Sequence, residues 1–296
     1  MKIAALIVTY NRLAKLKITL EKTLSERFDK VVIVNNDSTD GTGEWLASVN
    51  NDRLIIINSE TNSGGAGGFK LGIDYILRSL KVDWVTFYDD DAFPESGTIE
   101  KFRQANHAHN TIWCGKVLDM QGNICDMNVP WAKIPQGFFS NIEYFFNKKA
   151  YIADIESLQD VVTFSFVGCL IHSSILSNTY NMLDEKLFLY FDDVYYSWQL
   201  TKNGCKIFYD PGLVFKHDIK KSKGFESQEW KVYYLIRNLL LSKRKLATRE
   251  IFDNSFIVMR VIKYISMAFH EKRKTYYLMF LFKGIWHGLT NKTGKL

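Results

Sequence analysis

Short apolar runs alternate with helix-period segments over the first hundred residues. Residues 3–8 form a continuous apolar run of strand length, after which Leu13, Leu16, Leu20 and Leu24 recur at helical spacing. A second run at 31–34 ends in Asn35-Asn36-Asp37-Ser38-Thr39-Asp40-Gly41, where Asp40 is placed to cap a helix carrying Trp45 and Leu46. A third, at 54–57, leads into Asn62-Ser63-Gly64-Gly65-Ala66-Gly67-Gly68, and Phe69, Ile73, Ile76, Leu77 and Leu80 then share one helical face. A fourth, at 84–88, stops at Asp89-Asp90-Asp91. This βαβα order predicts an α/β fold, a parallel sheet with helices on both faces.

In such a sheet, ligands sit beyond the carboxyl ends of the strands. All four ends are polar here: Thr9-Tyr10-Asn11-Arg12, residues 35–37, residues 62–68 and residues 89–91. Their convergence on one sheet edge predicts a binding site. Side chains alternate along an extended segment, so Asp89 and Asp91 point to one side and Asp90 to the other. Two carboxylates held close raise each other's pKa unless a cation offsets them, and a hard divalent ion would do so. The 62–68 segment opens a helix, and its glycines let backbone N–H groups approach a phosphate. It is neither a P-loop nor a Rossmann fingerprint: no Gly-Lys-Ser/Thr follows, and Phe69 and Lys70 stand where a closing glycine is required.

A second carboxylate pair, Asp192-Asp193, lies among aromatics in the run 187–196. Apolar surroundings raise a carboxylate's pKa toward that of a general base, while the same residues could simply start the helix of residues 194–200. His217 follows a strand-like run as a lone histidine, which on its own reads as structural.

The net charge of +6 is unevenly spread. Residues 1–215 carry 20 basic and 26 acidic side chains, whereas residues 216–296 carry 18 and 6. The basic segment holds two apolar, helix-like stretches at 256–269 and 276–289, joined by His270-Glu271-Lys272-Arg273-Lys274. Cations beside apolar and aromatic residues suit helices lying in the interface of an anionic membrane surface. No nucleic-acid motif accompanies the charge, so no nucleic-acid partner is expected. No apolar run reaches the length of a membrane span, no signal-peptide core is present, and the four cysteines form no CxxC pair. A cytoplasmic protein is expected, peripheral at the inner face of the cell membrane.

Taken together, these motifs resemble the inverting family 2 glycosyltransferases of the GT-A fold. The resemblance covers residues 3–240: residues 8–12 are similar to that family's opening strand, 35–42 to its nucleotide-binding turn, and 89–91 to its metal-binding Asp-x-Asp. Phe191-Asp192-Asp193-Val194 is similar to the segment bearing the base, 211–217 to the strand with a metal-binding histidine, and Trp230 with 233–238 to the ending of bacterial surface-polysaccharide members. The glycine-rich 62–69 stretch with three aspartates most resembles the galactofuranosyltransferases; some rhamnosyltransferases share the glycines.

The resemblance implies a GT-A domain over 1–240, with a nucleotide-sugar half at 1–118 and an acceptor half at 119–240, then a basic amphipathic helical region at 241–296. It implies Mn²⁺ or Mg²⁺ on Asp89, Asp91 and His217, and Asp193 as base with Asp192 beside it. It implies a nucleotide-sugar donor held by Thr9, Asn11, Arg12, Asn36, Asp37, Asn62, Gly64, Gly65, Asp89 and Asp90. Gly168, Trp198 and Tyr234 would meet a lipid-linked or oligosaccharide acceptor. The implied reaction moves galactofuranose from UDP-galactofuranose, with dTDP-rhamnose as the alternative donor. Two other classes are weighed. A sugar-nucleotide pyrophosphorylase needs a basic, glycine-rich loop after its first strand, where this chain has only Asn11-Arg12. A non-catalytic glycan- or nucleotide-binding protein would have no use for both carboxylate clusters.

Overall fold

The computed structural model describes residues 1–219, 228–245 and 250–296. Strands β1 (Ile3–Thr9), β2 (Lys30–Asn35), β3 (Leu54–Asn58) and β4 (Trp84–Asp89) pair in parallel in the order β3-β2-β1-β4. Helices α1 (Leu13–Ser25), α2 (Thr42–Ser48) and α3 (Gly64–Ser79) connect them. Each strand continues one polar residue beyond its apolar run, because the backbone ladder does not depend on side-chain polarity. The register sets Thr9 beside Asn35, Asn35 beside Asn58, and Val8 beside Asp89. The polar ends therefore line up along one edge.

Strand alternation sorts the core into two layers. Leu6, Val8, Val32, Val34 and Phe87 pack with Phe69, Ile73 and Ile76 of α3 on one face. Ala5, Ile7, Val31 and Ile33 pack with Leu16 and Leu20 of α1 and Leu46 of α2 on the other. Asp40 serves two helices rather than one. Its Oδ2 accepts from the N–H of Leu13 at the start of α1 (3.0 Å), and its Oδ1 from the N–H of Thr42 at the start of α2 (3.3 Å). The N-cap of α2 itself is Gly41, with φ of 84°.

Beyond β4 the sheet takes up antiparallel strands as well, so the sheet as a whole is mostly parallel, as expected, and wholly parallel only over β1 to β4. The later strands are β5 (Ala92–Pro94), β6 (Thr111–Leu118), β7 (Gln159–Val161), β8 (Cys169–His172) and β9 (Lys206–His217). Antiparallel β8 inserts between β4 and β6, and β9 then runs parallel to β6. This carries His217, the last residue of β9, to Ala92 and so beside the aspartate run.

The remaining helices are α4 (Thr98–Gln104), α5 (Phe138–Phe146), α6 (Ser173–Thr179), α7 (Asp192–Lys202), α8 (Lys231–Lys245), α9 (Asn254–Met267) and α10 (Lys274–Leu289). A third apolar cluster joins Leu187, Tyr195 and Trp198 to Val232, Ile236, Phe256, Tyr264, Tyr277 and Leu281. The C-terminal helices are thus packed against α7 through a common core. Among the described residues, no helix is long and apolar enough to cross a membrane.

Candidate active site

A cavity of about 510 Å³ opens at the carboxyl edge of β1 and β4, lined by Thr9, Arg12, Asn36, Asn62, Gly64, Gly65, Asp89 and Asp90 among others. Asn36 is buried and organises the glycine segment. Its Nδ2 donates to the Gly64 carbonyl (2.9 Å), and its Oδ1 accepts from the N–H of Ser63 (3.1 Å). Gly64 has φ of 73°, and a Cβ there would lie 2.0 Å from the Phe188 carbonyl oxygen, so only glycine fits. Gly65 faces open space, at the first turn of α3, where free N–H groups and the helix dipole favour an anion.

The aspartate run divides its labour as alternation requires. Asp90 turns into the fold, accepting from Thr9 Oγ1 (2.8 Å) and the Tyr10 N–H (3.3 Å). Asp89 and Asp91 turn the other way and meet His217, with one ligand atom from each lying within 4.8 Å of the others. His217 Nε2 is 3.3 Å from Asp91 Oδ1, and its Nδ1 is 3.0 Å from Asn128 Oδ1. Arg12 and Lys15 also pair with Asp91, Lys15 at 3.2 Å.

Burial pushes the Asp89 carboxyl up to about 6, with the Asp91 charge adding to the effect and His217 and Arg12 opposing it. Burial likewise raises Asp90 to about 7, against the pull of Arg12. Burial opposes ionisation of Asp91 too, but the His217 hydrogen bond and the Arg12, His217 and Lys15 charges hold it below the usual carboxylate range. A carboxylate raised by burial beside a second carboxylate is the electrostatic condition that a divalent cation relieves. Two carboxylate oxygens and one imidazole nitrogen are a donor set that fits a divalent cation.

Asp192 and Asp193 form the first turn of α7, after a loop in which Phe188, Tyr190 and Phe191 have φ of 66°, 66° and 67°. Helix α8 pins that loop. Asn238 Nδ2 donates to the carbonyls of Leu187 (3.1 Å), Leu189 (2.8 Å) and Tyr190 (2.9 Å), and Arg237 Nη2 to Leu187 (2.7 Å). Burial raises the Asp193 carboxyl while the backbone N–H groups of Val194 and Phe166 stabilise its anion. Burial and the Asp193 charge raise Asp192 as well. Both carboxylates line a second cavity of about 460 Å³, together with Asn128, Phe166, Tyr190 and His217. Asp89, Gly65 and Leu189 line both cavities, so the two meet at the proposed metal position.

Some expected site residues lie elsewhere. Asn11 (φ 53°) and Asp37 (φ 65°) occupy exposed turns outside the lining of both cavities; Asn11 Oδ1 accepts from the Thr39 N–H (2.7 Å). Trp198 is packed in the core between α7 and the C-terminal helices, with Lys202 over its ring. Gly168 lies against the Phe215 ring, its N–H given to the Phe87 carbonyl (2.9 Å). Neither is in the lining of the two cavities, and both pack against neighbouring elements. Tyr234 lines the first cavity, not the second, and stacks on Phe188. Residues not foreseen are Asn128, Lys15, Lys231 and Lys295; the last two line the first cavity. Lys295 comes from the segment after α10, where the Gly294 N–H donates to the Lys186 carbonyl (2.7 Å). No local signal marks these four, since each is brought in by long-range packing.

Among known families, Glycosyl transferase family 2 matches residues 4–165, more than half of the chain. The protein named Galactofuranosyltransferase GlfT1, from Mycolicibacterium smegmatis, is 28% identical over 131 residues, which span 43% of this chain and 41% of that protein. The Low-salt glycan biosynthesis hexosyltransferase Agl10 of Haloferax volcanii is 22% identical over 270 residues, 89% of this chain and 84% of its own length. In fold, this chain is similar to S. aureus TarS 1-349 (TM-score 0.52, 15% identity, 92% of this chain and 73% of that one). It is also similar to GalNAc-T7 solved with UDP, GalNAc and Mn2+ (TM-score 0.54, 10% identity, 90% and 58%). Asp193 and His217 lie beyond the residues that the family match covers.

Proposed function

This chain belongs to glycosyltransferase family 2, and from that premise we propose that it transfers galactofuranose from UDP-galactofuranose to a hydroxyl of a growing bacterial surface glycan, with inversion at the anomeric carbon. The observation that carries this reading is the meeting of the two cavities at Asp89 and Gly65, one lined by Arg12 and the first turn of α3 and the other holding a raised carboxylate. The choice of sugar is supported by the glycine-rich 62–69 segment with its three aspartates, and by GlfT1 as a relative.

In this mechanism Asp89, Asp91 and His217 would hold Mn²⁺ or Mg²⁺, which when bound would neutralise charge on the leaving diphosphate. The first turn of α3 and Arg12 supply further positive potential on the donor side. Asp193 takes the acceptor hydroxyl's proton as that oxygen attacks the anomeric carbon, and the bond from that carbon to the diphosphate breaks on the opposite face. Burial and the neighbouring Asp193 charge disfavour ionisation of Asp192, which limits the negative charge beside the base.

The reading extends to placement. Residues 1–240 act as the catalytic unit, and the basic region 241–296 meets an anionic membrane at its cytoplasmic face, where a lipid-linked acceptor is presented. Donor binding and hydrolysis across UDP- and dTDP-sugars, with Mn²⁺ or with a chelator, test the donor assignment. Metal-dependent preference for UDP-galactofuranose is expected. Preference for dTDP-rhamnose would change the sugar, and no metal-dependent binding to any donor would overturn the enzyme reading.

A further inference from the structure

A cavity of about 220 Å³ lies between α5 and α9 and shares no lining residue with the two active-site cavities. Three cations line it, Lys148, Arg260 and Lys263, with Phe145 and Met259 as apolar wall. Partial burial lowers the Lys263 pKa, and the Arg260 and Lys148 charges lower it further. Arg260 faces aromatic groups, lying 5.0 Å over the Phe256 ring and donating to Tyr144 OH (3.3 Å). Three like charges around one hollow repel each other until an anion joins them.

The surface around the cavity is apolar. Phe138, Phe139, Phe145 and Phe146 of α5 are 58%, 84%, 63% and 81% exposed. On α9, Val258, Ile262 and Ile265 make an exposed stripe at helical spacing, and Phe269, just past its end, is exposed as well. An exposed apolar patch of this kind marks an interaction surface. Phe145 belongs to both features, as cavity wall and as exposed ring.

We propose that this cavity binds the phosphate of an anionic lipid head group, with Phe145 and Phe146 entering the membrane interface beside it. The assignment builds on the membrane placement proposed above and moves its centre from the tail alone to the α5–α9 junction. Free phosphate would use the cations but leave the phenylalanines without a role. A second copy of the chain packed symmetrically on this face would bring the same cations toward their own copies. A lipid satisfies charge and ring together.

The test is co-sedimentation of the full chain with vesicles of phosphatidylcholine, alone or mixed with phosphatidylglycerol, with UDP binding in Mn²⁺ measured on the same preparations. The wild type is expected to bind the mixed vesicles. Lys148→Gln/Lys263→Gln should weaken that binding about 25-fold, taking about fivefold per lysine. Phe145→Ser/Phe146→Ser should also weaken it, and UDP affinity should be unchanged in both variants. Wild-type binding to mixed vesicles that both variants retain in full would overturn the pocket while leaving the membrane placement standing. Failure of the wild type to bind any vesicle would overturn both. Inorganic phosphate binding lost in the lysine variant, with vesicle binding intact, would make this a free-phosphate site and overturn the assignment. Loss of self-association alone in the phenylalanine variant would overturn it in favour of a contact between copies. Absence of UDP binding by the wild type would count against the donor reading only.

Discussion

The imidazole Nδ1 of His217 lies 3.0 Å from Asn128 Oδ1. A carboxamide oxygen only accepts, so Nδ1 donates to it and Nε2 is the ring nitrogen that faces Asp91 and Asp89. Asn128 is itself tied to Ser165 Oγ (2.8 Å), which fixes its amide. Replacing Asn128 with Ala frees the ring, and Mn²⁺ affinity should fall about 10- to 100-fold. Calorimetric Mn²⁺ titration checks this; wild-type affinity in Asn128→Ala would remove His217 from the ligand set.

Metal binding should also depend on pH. Asp89 is raised to about 6 and must lose its proton to serve as a ligand, so Mn²⁺ affinity should drop as pH falls through about 6. For stability the sign is reversed. A carboxylate with a raised folded pKa favours the folded state below its unfolded pKa, and that contribution is lost as pH rises through about 6. Mn²⁺ should therefore raise the melting temperature more at pH 8 than at pH 5.5. Equal shifts at both values would contradict the ligand role of Asp89.

The two neighbouring glycines at the head of α3 should behave differently. Gly64→Ala forces a Cβ onto the Phe188 carbonyl at a φ of 73°, with about 1–3 kcal/mol of backbone strain before the clash is counted. Gly65→Ala meets nothing within 4 Å, so stability should stay within about 0.5 kcal/mol. Its methyl group nevertheless projects where both cavities meet, and donor affinity should fall. Thermal melts and donor titrations of the two variants separate these effects, and a destabilised Gly65→Ala with normal donor binding would contradict the placement.

Asn238 holds the loop before Asp192 by three carbonyl contacts, where three residues carry left-handed φ. Asn238→Leu leaves buried carbonyls short of a donor and should cost about 2–4 kcal/mol. Urea unfolding measures that cost. Because the loop leads directly into Asp193, turnover should fall by more than about tenfold even at temperatures where the variant is folded. Full activity in a destabilised variant would show that the loop does not position the base.

The sheet edge was legible in the sequence because polar residues interrupt apolar runs at the same point in four successive units. The split of the aspartate run was legible for the same reason: strand alternation is a local rule. What pattern could not supply was contact across long separations. His217 reads as a lone histidine until β9 carries it to Ala92, and Asn128 has no motif at all. Trp198 and Gly168 were carried over by resemblance onto positions that turn out to be packing, between helices and against Phe215. The phenylalanines of α5 lie in a stretch with no readable motif, and only the fold shows them facing outward.

The central claim is that Asp193 is the base of a metal-dependent sugar transfer, and its most direct test is the turnover and donor affinity of Asp193→Asn. Asparagine keeps the shape and the contact with the Val194 N–H but cannot accept the acceptor's proton. Turnover should fall between about 10²- and 10⁴-fold with donor affinity unchanged. Turnover within a few-fold of wild type, or loss of donor binding in place of turnover, would contradict the account.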